Sequence, residues 1–178
     1  MSAKQEAELN SDGRTSVLAT SVLVVFLLAM TVTIANVSLP QMQGSLSATR
    51  DQVAWVVTSF LVANAVGVPA TGWLTDRLGS RRLIIWGTFG FSLATLSCAL
   101  APNLELLVLS RALQGLLGAP LTPLTMALVL SMYPRHQHGL VTAIFGIGVT
   151  IGPIIAPWVG GILAEDYGWR SVFFFAMP

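Results

Sequence analysis

Arg111 is the residue of this chain whose chemistry is hardest to satisfy. It stands in the stretch 109–122 (LSRALQGLLGAPLT), inside the apolar run 106–132, which holds no other charge. A guanidinium is not neutralised by deprotonation in a protein. Placing one within a bilayer costs at least about 2.5 kcal/mol unless it reaches water, a polar cavity or a partner. Residue type alone leaves two readings open. Arg111 stretches to the headgroups or to Glu105, about 9 Å away along a helix axis, or it faces a polar interior and handles charge there, with Gln114 and Gly115 beside it.

Two further patterns are polar or small where an apolar chain would otherwise continue. The link 72–82 (GWLTDRLGSRR) gathers Asp76, Arg77, Arg81 and Arg82 around Gly79 in a connection too short to be a domain. A glycine makes a turn that other residues make only with strain, and Asp76 supplies an acceptor at a helix end. Basic anchoring on one membrane face explains the arginines, but not the order in which Gly72, Leu74, Asp76, Arg77, Gly79, Arg81 and Arg82 follow one another. In the second pattern Gly148, Gly152, Ala156 and Gly160 recur every four residues, joined by Gly161 and by Pro153 and Pro157. Small residues at that interval bring helix backbones close in lipid, and the two prolines are expected to bend the helix.

The elements that position these residues are read from composition. Hydrophobic residues make up 54% of the chain and charged residues 10%, against about a quarter charged in ordinary soluble domains. Apolar stretches of about 20 residues or more, enough to span a bilayer and uncharged except for Arg111, occur at roughly 16–39, 53–74, 83–101, 106–132 and 140–163, and a sixth apolar run opens at Val172. The sequence therefore predicts an all-α membrane protein of five transmembrane helices plus the start of a sixth, preceded by a polar tail over 1–15. That tail lacks the basic segment of a secretory signal. Lys4, Arg14, Arg77, Arg81, Arg82 and Arg135 fall on one side of this arrangement and Arg50 and Arg170 on the other, which places the N-terminus in the cytoplasm. Trp55, Trp73 and Trp169 lie near the expected boundaries, where indoles anchor helices.

Several function classes have nothing to rest on. The nine basic residues are scattered, so no nucleic-acid face is expected. Cys98 is the single cysteine and is read as a packing residue. His136 and His138 sit on the link between the fourth and fifth helices, with no carboxylate or thiol near in sequence, and are read as a solvated loop. There is no nucleotide loop, no zinc spacing and no nucleophile with an evident base, so no catalytic residue, metal or cofactor is expected.

The link 72–82 reproduces the form G-x-L-x-D-R-x-G-x-R-R, and in this it resembles the loop between the second and third helices of the major facilitator transporters. The surroundings of Arg111 resemble the fourth-helix signature of their proton-coupled drug exporters, and APWVGG at 156–161 resembles the fifth-helix antiporter signature, with Ala156 in place of a glycine. TIANVSLP at 33–40 with QVAWVVTSFLVAN at 52–64 looks like the fourteen-helix drug:proton antiporter branch. The resemblance implies the N-terminal six-helix bundle of a transporter in the bacterial inner membrane, in which two bundles rock about a midplane site. It further implies a conformational switch at Asp76 and its neighbours, proton coupling at Arg111, a bending and leak-tight interface between the two halves at the Gly148 to Gly161 stretch, and a small-molecule cavity with Asn36, Thr58, Asn64 and Gln114 as its polar candidates. One departure stands out. The branch carries an aspartate where this chain has Thr31, which takes up no proton. The leading functional expectation is proton-coupled efflux of drugs or other small amphipathic molecules, by a protein of which this chain is an N-terminal part that is inactive alone, its partners being lipid, substrate, protons and the remaining C-terminal half. The alternatives are a short protein that completes a transporter with a separately encoded membrane subunit, and a non-transporting structural membrane protein.

Overall fold

The computed structural model describes residues 3–177, and the side chains of 13–177. These residues form α1 (Ala3–Ser45), α2 (Arg50–Leu78), α3 (Ser80–Leu100), α4 (Leu104–Gly118), α5 (Leu121–Met132), a 3-10 turn (Arg135–Gln137), α6 (His138–Tyr167) and α7 (Trp169–Phe175), with no strand among the described residues. Among the described residues five spans are long and apolar enough to cross a bilayer: Gly13–Ser45, Arg50–Leu78, Ser80–Leu100, Leu104–Met132 and Arg135–Tyr167. The all-α membrane architecture expected from the sequence is the one observed. Helix satisfies every interior backbone group within its own segment, which hydrocarbon demands. The outward surface is correspondingly apolar, with Trp158 at 73% and Val66 at 66% of full exposure.

The boundaries follow local chemistry. The first helix reaches back to Ala3 rather than beginning near residue 16, because nothing in the polar segment before it stops a helix. α2 starts on a capping box, in which Thr49 Oγ1 accepts from the Gln52 amide and the Gln52 side chain accepts from the Thr49 amide. Asn103 Oδ1 likewise accepts from the Leu106 amide at 2.9 Å to start α4. Gly79 (φ 78°, ψ 145°) and Gly168 (φ 79°, ψ 161°) close two one-residue links in a backbone region open only to glycine. Gly168 also starts α7 at Trp169, three residues before the apolar run that was expected to open it. The fourth crossing is two helices rather than one. The Ala119 amide still donates to the Gly115 carbonyl at 3.0 Å, but Pro120 has no amide proton to continue the ladder, and the next helix starts with the Leu124 amide on the Pro120 carbonyl at 3.1 Å. By contrast α6 runs unbroken through Pro153 and Pro157.

Helix packing is set by small residues. α1 lies along α6 and α2 along α4, the two most extensive contacts of the bundle. At Gly152 an added Cβ would stand 2.7 Å from the Phe26 carbonyl oxygen, and at Gly148 2.8 Å from the Val22 side chain. At Gly67 it would meet Ala119 Cβ at 2.6 Å. At the end of the bundle where α1 passes to α2, Met42, Val56, Cys98, Leu107, Trp169 and Phe173 form a buried cluster. Two hydrogen bonds clasp it. Trp169 Nε1 donates to Ser45 Oγ at 2.7 Å and Arg170 donates to the Ala101 carbonyl at 2.8 Å. Trp169, expected as an interfacial anchor, is instead buried, whereas Trp55 and Trp73 are exposed.

Candidate functional site

α4 carries Arg111, Ser110, Gln114 and Gly115 on its buried face. Arg111 is wholly enclosed, which excludes the reading in which it reaches the headgroups. Its Nε donates to the Val56 carbonyl of α2 at 3.1 Å and one terminal nitrogen donates to Gln114 Oε1 at 2.6 Å. Gln114 Nε2 donates in turn to Thr95 Oγ1 of α3 at 2.6 Å, and Thr95 Oγ1 donates to the Phe91 carbonyl at 2.7 Å. The guanidinium carbon lies 4.5 Å from the Phe60 ring centre and 5.9 Å from that of Phe173. Among the described residues no carboxylate pairs with Arg111; Glu105 is exposed. The cation is held by carbonyl and amide dipoles and by two ring faces, which attract it in a desolvated site. Its other terminal nitrogen is buried without a partner.

Gly115 makes this arrangement attainable. An added Cβ there would collide with the Phe60 carbonyl oxygen, so only glycine lets α4 approach α2 closely enough for Arg111 to meet Val56. Asn64 seals the crossing by donating to the Gly115 carbonyl at 3.2 Å. Phe60, Val56, Thr95 and Phe173 complete the site, and sequence reading did not single them out. Their residue types are those of ordinary packing, and only the approach of four helices makes them neighbours of a cation.

The other candidate residues lie apart from this centre. Gly148, Gly152, Ala156 and Gly160 form one buried stripe of α6 against α1. Gly161 meets nothing within 4 Å and Pro157 is exposed, so neither belongs to that seam. In the link 72–82, Gly79 makes the turn, whereas Gly72 stands in open space. Asp76, Arg81 and Arg82 are exposed, and Arg77 lies over the Trp73 ring at 4.3 Å. Asn36 and Thr58 are exposed, each donating to a carbonyl of its own helix. A cavity of about 300 Å³ opens elsewhere, lined by residues that include Thr20, Ser21, Ile84, Thr125 and Leu128. Cys98 is buried, and His138 bonds the Tyr133 carbonyl at 2.9 Å.

Residues 21–178 match the family model described as Major Facilitator Superfamily. The chain belongs to the Major Facilitator Superfamily. It is 37% identical over 156 residues to the multidrug export protein EmrB of Escherichia coli strain K12, covering 88% of this chain and 30% of that protein. It is 40% identical over 156 residues to the fatty acid resistance protein FarB of Neisseria gonorrhoeae, covering 88% and 31%. With the multidrug resistance protein B homolog of Mycobacterium tuberculosis strain H37Rv it shares 37% over 147 residues, covering 83% and 27%. The chain thus spans about a third of the length of these relatives.

Arg111 is flanked by Phe60 and Phe173, and its side chain is fully enclosed. The Gly148 to Gly160 stripe packs within the bundle against Val22, Phe26 and Ile34 of α1. Thr31 is buried and donates to the Leu27 carbonyl at 2.7 Å.

Proposed function

We propose that this chain supplies the first helices of an exporter of drugs or other small amphipathic molecules, located in a bacterial inner membrane with its N-terminus in the cytoplasm. The observation that carries this reading is its likeness, along 88% of its length, to proteins named for multidrug export and fatty acid resistance. Transport proceeds by alternating access, one bundle rocking against a second. The helices described here form one wall of the pathway; the other comes from the later helices that the longer relatives contain, and this chain by itself does not transport. Exposed Asn36 and Thr58 are available to that second wall, while Asp76 sits at the end of α2 where a partner helix N-terminus would favour its carboxylate.

Proton coupling in this reading does not use the first-helix position, since Thr31 neither binds nor releases a proton at physiological pH. It passes through Arg111 and its hydrogen-bonded neighbours together with water or groups from the second bundle.

Expressed from its complete reading frame in a bacterium stripped of its own exporters, the protein is expected to raise resistance to amphipathic drugs and to drive dye efflux. Asp76→Asn abolishes both while leaving the amount of membrane-inserted protein unchanged. Well-expressed parent protein that confers neither resistance nor efflux across a panel of chemically diverse compounds would remove the exporter reading.

A further inference from the structure

The polarity of the hydrogen bonds around Arg111 is fixed from end to end. A guanidinium only donates, so the Gln114 amide must present its oxygen to Arg111, at 2.6 Å. That leaves the Gln114 NH₂ group to face Thr95, 2.6 Å from Oγ1, and the threonine oxygen must accept. The Thr95 hydroxyl proton is then directed to the Phe91 carbonyl at 2.7 Å. Arg111, Gln114 and Thr95 are all at 0% exposure, so water does not substitute for any of these bonds. A flip of the amide would put two donors against each other at Arg111 and leave a buried donor unsatisfied there.

We propose that Thr95 of α3 is a positioning residue for the exporter. Acting through Gln114, it holds the Arg111 guanidinium in one orientation, with Nε on the Val56 carbonyl of α2 and the second terminal nitrogen free of any partner. That nitrogen is the part of the cation with no hydrogen-bond partner, while the rest is committed to α2 and, by way of Gln114, to α3. The three helices are thereby tied to one charged group, and a change in its partner is felt by all of them. The transport role rests on the exporter reading above; the positioning itself does not.

Two measurements on the full-length protein separate these. In nanodiscs, with ¹⁵N-labelled arginine and the Arg111 Nε–H signal assigned by its loss in Arg111→Lys, the parent should give one resolved, slowly exchanging signal. Thr95→Val, which keeps the shape but removes both hydrogen bonds, should broaden or shift that signal, and Thr95→Ser should restore it. Thr95→Ala serves the same purpose should valine not insert. In proteoliposomes the maximal efflux rate should fall by about ten- to a hundredfold in Thr95→Val, with little change in substrate KM, and recover in Thr95→Ser. An Arg111 signal that is identical in Thr95→Val, Thr95→Ala and the parent overturns the proposal. A shifted signal in a parent that exports nothing supports the positioning and counts against the exporter reading instead. A shifted signal with unaltered efflux keeps the hydrogen-bond chain but overturns its role in transport.

Discussion

A buried cation without a counterion is costly, and at Arg111 the cost is offset by geometry rather than by charge. Three groups in fixed directions, the Val56 carbonyl, the Gln114 amide and the Phe60 ring, answer a planar fork. Lysine, a compact ammonium on a flexible stem, retains the charge but not the fork. Arg111→Lys is therefore expected to insert normally yet lose at least most of its efflux, which a dye-efflux assay at matched expression would show. Gly115 is the second residue on which the site depends. In Gly115→Ala the new methyl meets the Phe60 backbone oxygen, and backbone has no rotamer with which to yield. A loss of about 1–3 kcal/mol is expected, read as a lower melting temperature in detergent, together with loss of the Arg111 to Val56 bond.

Helices α1 and α6 show that small-residue spacing is necessary for a seam but does not identify its members. Gly148, Gly152 and Gly160 face backbone or branched side chains of α1, whereas Gly161 faces open space. Gly152→Ala is expected to destabilise the bundle by about 1–3 kcal/mol. Gly161→Ala is expected to be neutral, or stabilising by up to about 1 kcal/mol through helix propensity. Fluorescence-detected size-exclusion melting curves of the two variants distinguish these outcomes, and equal shifts would show that the seam is not where the structure puts it. The repeat every four residues was legible in the sequence. Membership was not, because a glycine beside a seam and a glycine in it look alike until the partner helix is in place. The break between α4 and α5 was likewise written in Pro120, but an apolar run of the right length reads as one crossing whether or not its ladder is whole.

Across the whole molecule, charge is distributed by side. The turn at Gly79 and the 3-10 turn at Arg135–Gln137 lie two crossings apart, and the ends at Ser45 and Gly168 alternate with them. If the basic links are cytoplasmic, Ser80 and Glu165, both exposed, lie on opposite faces of the membrane. Because Cys98 is buried, it should not react with bulky reagents in the folded protein. Glu165→Cys is expected to react with an impermeant maleimide in intact spheroplasts, and Ser80→Cys only after the membrane is opened. The reverse pattern would invert the topology.

The sequence by itself determined that the chain is an all-α membrane protein with five crossings, and its patterns at Asp76, Gly79, Arg111 and the Gly148 to Gly160 repeat carried a resemblance to its superfamily. These were legible because bilayer thickness sets helix length and because hydrocarbon penalises any charge that is not needed. The tertiary structure alone decided that Arg111 is enclosed rather than extended to the surface, that Trp169 is a clasp rather than an anchor, and that Val56, Phe60, Thr95 and Phe173 share a site. Helices that are apolar on every side carry no amphipathic stripe to reveal which face turns inward. That choice is made only where backbones approach closely enough for small residues to interlock and for the few polar groups between them to find one another.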